Sequence, residues 1–135
     1  MNLADVMAEL ADTLDGVGGL RPFPFWVETI SPPAVVVGFP DPYDYDETAR
    51  RGVDTAVFPV SVLVSKADPR SAAAGLGAYA DGAGTSSVKA ALEAHAGENY
   101  NTCRVASVAF SVMTVGGAEY LAATFQTHIS GSGSA

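Results

Sequence analysis

The chain has 135 residues, with 15 Asp and Glu against 7 Lys and Arg, giving a formal net charge of -8. That balance argues against wrapping the outside of DNA or RNA and against an anionic membrane surface, since both draw on clustered Lys and Arg. A hydrophobic content of 48% with 16% charged residues predicts a globular chain, and the single cysteine, Cys103, excludes an intramolecular disulfide and a Cys-cluster zinc site.

The length suits one domain over residues 1–130, an α+β fold in which helices pack on one face of a mainly antiparallel sheet. The start, Met1-Asn2-Leu3-Ala4-Asp5, is acidic where a signal peptide is basic, and no apolar run reaches membrane-spanning length. A soluble protein made in the cytosol is expected. Leu3, Val6, Met7, Leu10, Leu14 and Val17 recur at helical spacing, with Asn2 as N-cap and Gly16, Gly18 and Gly19 as terminators. Asp5, Glu9 and Asp12 lie off the apolar stripe and are read as a solvated face.

Residues 20–26 are aromatic and proline-punctuated, which predicts a short edge strand or an extended connection. Trp26 suits either a core lid or an interface anchor. Pro32-Pro33 then delivers 34–39, an apolar run suited to a strand covered on both faces. The most acidic stretch, Pro40-Asp41-Pro42-Tyr43-Asp44-Tyr45-Asp46-Glu47, is followed by Arg50-Arg51-Gly52 and reads as a long loop. Its carboxylates lack the spacing of an EF-hand, so no metal is assigned. A contact loop that reaches a neighbouring subunit is the preferred reading.

Residues 54–65 form a predicted strand with Ala56, Phe58, Val60, Val62 and Val64 on one face and Thr55, Val57, Ser61 and Leu63 on the other. Pro59 suggests an edge position or a bulge. Asp68-Pro69 is a helix start for 70–80. Asp81-Gly82-Ala83-Gly84 precedes a third helix capped by Thr85 or Ser86. It lacks the Gly-Lys-Ser/Thr ending of a phosphate loop, and no nucleotide is assigned.

The rest of the chain is organised around a long hairpin, 104–115 and 118–129, joined by Gly116-Gly117, a pair that accepts the positive φ angles of a two-residue turn. Pairing Val115 with Ala118 sets Val112 opposite Leu121, Phe110 opposite Ala123, Val108 opposite Phe125 and Arg104 opposite Ile129. His128 then falls opposite Val105. On this register the apolar residues share one face, which the helices are expected to cover. The second face, Ser107, Ala109, Ser111, Ala122, Thr124 and Gln126, is small and partly polar and is left to solvent or to another protein. Residues 131–135 read as a disordered Gly/Ser tail. Neither histidine pairs recognisably with Cys103, and no nucleophile signature is present, so no catalytic or cofactor-binding residue is assigned.

Several segments in this order resemble the tail-terminator proteins of long-tailed phages, in the form common in phages of actinobacteria. They are the opening helix 3–14, Pro32-Pro33-Ala34-Val35-Val36-Val37, Arg51-Gly52-Val53-Asp54, Phe58-Pro59-Val60-Ser61-Val62-Leu63-Val64, Asp81-Gly82-Ala83-Gly84 with Ser87-Val88-Lys89-Ala90-Ala91-Leu92-Glu93, and Thr114-Val115 with Tyr120-Leu121-Ala122-Ala123-Thr124-Phe125. The resemblance implies a virion structural protein at the head–tail interface and no enzyme. It implies a homo-oligomer, a hexameric ring that caps the major tail tube protein, ends tube polymerisation and offers a docking surface to the head–tail connector (stopper) protein. Phage DNA would pass through such a ring without specific binding, which suits a chain poor in cations. Within that picture Asp41, Asp44, Asp46 and Glu47 are candidates to line the channel, and Arg50 and Arg51 to pair with a neighbour's acids. The alternatives are another neck or tail-completion component, a small enzyme or ligand-binding domain built from His128, Cys103 and the acidic loop, and a protein-interaction module of a host cell.

Overall fold

A computed structural model describes residues 1–24, 28–45, 52–66 and 69–132. The first helix, α1 (Leu3–Leu14), opens as its N-cap signal predicts, with the Asn2 side chain accepting a hydrogen bond from the Asp5 amide at 3.1 Å. Its apolar stripe, Val6, Leu10 and Leu14, is fully buried. The chain then forms β1 (Arg21–Phe23), β2 (Ala34–Val37) and β3 (Tyr43–Asp44), the last inside the stretch expected to be all loop. A long strand β4 (Val53–Ser65) follows, then α2 (Pro69–Ala80), α3 (Val88–Ala94), β5 (Thr102–Val115) and β6 (Ala118–Ser132). The fold is α+β, with six strands and three α-helices among the described residues.

The strands lie in the order β1-β2-β4-β6-β5, with β3 beside the first part of β4. Every pairing is antiparallel except β1 with β2. The central strand, β4, alternates as its sequence predicts: Ala56, Phe58, Val60, Val62 and Val64 join a core with the inner faces of α1, α2 and α3. Phe58 and Phe125 are its largest fully buried side chains, and burial of each contributes on the order of 1.5–3 kcal/mol. On the opposite face Leu63 and Ala122, which pair, are also fully buried.

Pro59 is not at an edge. It sits in this central strand opposite Gln126, where the neighbouring ladder breaks between β2 and β3, and its carbonyl accepts from the Gly38 amide at 2.9 Å. An imino nitrogen that cannot donate is tolerated there because no regular strand partner runs past it.

The hairpin register holds from Val115–Ala118 to Ser107–Gln126. A β-bulge between Val105 and Ser107 then shifts it by one residue. Arg104 therefore faces His128 instead of Ile129, Cys103 faces Ile129, and Val105 faces Thr127. The extra residue keeps Cys103 and Val105 on the helix-covered side, where Val105 is buried. The turn has positive φ at both Gly116 (57°) and Gly117 (82°), as a type I′ turn requires. The last strand also runs past the expected start of the tail. Gly131 pairs with Asp54 and Ser132 with Val53, because a Gly/Ser backbone can continue a ladder whose partner strand is already in place. α3 is capped by Ser87, not Thr85 or Ser86: its hydroxyl accepts from the Ala90 amide at 3.1 Å. The Asp68 cap and Trp26 lie outside the described residues.

Candidate interaction surfaces

Of the six residues singled out as interface or channel candidates, Asp46, Glu47, Arg50 and Arg51 lie outside the described residues. Asp41 and Asp44 are exposed. Asp41 is anchored by its amide, which donates to the Val57 carbonyl at 2.9 Å, while Asp44 lies on β3 opposite Thr55. Between them Tyr43 donates its hydroxyl to Asp54 at 2.7 Å. Burial, together with this bond to a carboxylate, pushes the Tyr43 phenol up to about 12. The Tyr45 ring lies 4.9 Å from that of Tyr43 and is 76% exposed. This end of the sheet thus presents carboxylates and an aromatic ring to solvent.

Cys103 and His128 are not brought together. They project from opposite faces, since Cys103 is paired with Ile129, one position beyond His128. Burial, reinforced by the negative charge of Glu93, pushes the Cys103 thiol up to about 11, which makes it a poor nucleophile. No group of three or more His, Cys, Asp or Glu positioned to hold a metal ion occurs among the described residues. Within the same set, no helix is long and apolar enough to cross a membrane.

One cluster escaped the sequence reading. Glu9, expected on a solvated face, has a side chain only 10% exposed. It accepts from His95 Nε2 at 2.7 Å, the Glu98 amide at 2.9 Å, and the Asn99 amide and side-chain nitrogen at 2.9 and 3.0 Å. Burial alone would raise its pKa, but these donors outweigh it and hold the carboxyl below the usual range. With both oxygens engaged, Glu9 acts as a clamp that ties α1 to the segment between α3 and β5. The cleft around it, about 690 Å³ and open, is rimmed by Asp5, Asp12 and Glu98.

Two apolar surfaces lie at opposite edges of the sheet. At the β5 edge Phe110 and Val112 are 58% and 50% exposed. The helices were expected to cover them, but α3 is only seven residues long and packs near the start of β5, so the half of the hairpin toward its turn projects beyond it. On the other face of β5, Ser107, Ala109 and Ser111 are exposed as expected, whereas Ala122 is buried. At the β1 edge a groove of about 320 Å³ runs between α1 and the β1–β2 pair. Its walls include Ala4, Ala8 and Ala11, a small-residue stripe on α1 beside the buried Val6, Leu10 and Leu14.

No protein-family model matches this chain, and no curated protein matches it at a significant level of similarity.

Proposed function

We propose that this chain is a virion structural protein of the tail-terminator type, a ring-forming subunit that caps the tail tube, ends its polymerisation and presents a docking surface to the head connector. One observation carries the reading: the ordered series of segments, from the opening helix to the C-terminal strand pair, that resembles this family. The α+β fold with its long hairpin is compatible with it. So is the net charge of -8, since a wall with few cations makes few contacts to the phosphates of a passing DNA. In this reading the ring is a hexamer, and Asp41, Asp44, Asp46 and Glu47 face its channel. Arg50 and Arg51 meet the acids of the adjacent subunit.

The test is the solution mass at several concentrations, by light scattering or native mass spectrometry, with and without tail tubes. A closed hexamer, or a monomer that becomes one on tubes and stops their growth, is expected. A protein that neither caps tubes nor blocks their elongation at any concentration overturns the proposal. Reversing both Arg50 and Arg51 to Glu is expected to weaken assembly, and unchanged assembly removes them from the subunit contact.

A further inference from the structure

The two apolar surfaces have matching chemistry and opposite shape. Phe110 and Val112 project from the helix-side face at the β5 edge, and residues 105–115 contain no charged side chain. The groove at the β1 edge is concave, walled by Ala4, Met7, Ala8, Ala11, Pro22 and Phe23, and is likewise free of charge. The strands β4, β6 and β2 stand between them, so the two surfaces of one chain cannot meet.

The edges themselves differ. β1 is three residues long and contains Pro22, which blocks addition of a further strand. β5 is 14 residues long, and α3 meets its outer backbone at the bulge. There the Val105 amide donates to Glu93 at 2.9 Å, and Lys89 approaches the Val105 carbonyl at 3.5 Å. Beyond the bulge, Ser107 to Val115 carries neither proline nor charge, the devices that normally protect a long edge.

We propose that the chain binds a second copy of itself head to tail, with Phe110 and Val112 of one copy seated in the α1–β1 groove of the next. The occupant is argued from charge and shape. Copies that each carry -8 repel one another, and that repulsion is least where both surfaces are uncharged. A two-fold contact through either surface alone would set projection against projection or groove against groove. When each copy gives its projection to one neighbour and its groove to another, the contact propagates, closing into a ring when the rotation between copies permits and growing as a filament when it does not. The inference deepens the terminator proposal, resting on it for closure into a ring.

The experiment uses two single variants of the full chain, Phe110→Cys and Ala8→Cys, one carrying a size tag, oxidised separately and as a mixture. Both positions are exposed, and the unaltered chain, whose one thiol is the partly buried Cys103, serves as control. Mixed disulfide dimers, with none from either variant alone, are expected. Dimers of Phe110→Cys alone would mean β5-to-β5 pairing and overturn the proposal, as would the absence of mixed dimers. In a separate arm, Phe110→Asp with Val112→Asp is expected to weaken self-association by roughly 10- to 100-fold, with an unchanged circular dichroism spectrum. Tube capping is scored independently. Mixed dimers without capping retain this interface and remove the terminator reading. Capping without mixed dimers does the reverse.

Discussion

At the scale of single residues, the structure separates polar groups that are satisfied from those that are not. Thr127 is fully buried between strands, and its hydroxyl has no hydrogen-bond partner among the described residues. Thr127→Val keeps the shape and removes the unsatisfied oxygen. It is expected to raise stability by about 1 kcal/mol in urea denaturation. Glu9 is the opposite case. Glu9→Ala removes the acceptor for two backbone amides and two side chains, with an expected loss of about 2 kcal/mol. Its pH dependence has a definite sign. The folded carboxyl is held below its unfolded value, so its contribution is present above the ordinary glutamate range and is lost as pH falls through the lower folded value. Between pH 7 and pH 3, wild type is expected to lose more stability than Glu9→Gln. The role of Glu9 was not legible in the sequence, because its partners lie near residue 98 and a carboxylate off a helix's apolar stripe is ordinarily solvated.

At the scale of elements, the hairpin was the most legible part of the chain. A Gly-Gly turn and strict alternation are local signals, and they specified the pairs from Val115–Ala118 to Ser107–Gln126. The bulge at Ala106 carries no such signal, since neither Val105 nor Ser107 is out of place on a continuous strand. Only packing of Val105 and Cys103 against the helices requires the shift. The two turn glycines differ in a testable way. A side chain at Gly116 would have its Cβ 1.8 Å from the Glu28 carbonyl oxygen, whereas nothing lies within 4 Å of one at Gly117. Both have positive φ. Gly117→Ala is expected to cost about 1 kcal/mol and Gly116→Ala about 3 kcal/mol or more, read as a gap between their urea midpoints. Cys103, on the covered side of β5 with its thiol pushed up to about 11, is expected to react with thiol reagents at pH 8 only on unfolding.

At the scale of the whole molecule, composition foretold the class but not how far the helices reach. Helical periodicity announces that α3 exists, but not that its seven residues stop short of Phe110 and Val112. That exposed end carries the contact proposed between copies, and alternation alone assigned it to the interior. The place of β6, between β4 and β5, also has a consequence in time. Its pairing with β5 needs only a two-residue turn, whereas its pairing with β4 joins Ser65 to Tyr120 across both intervening helices. Closing a loop of about 50 residues costs on the order of 3–4 kcal/mol before any contact repays it. The hairpin is therefore expected to gain hydrogen-exchange protection first in a pulse-labelling refolding experiment, and β4, the strand that contributes most to the core, to gain it late. During that interval the hairpin has a second open edge, so refolding yield is expected to fall as protein concentration rises.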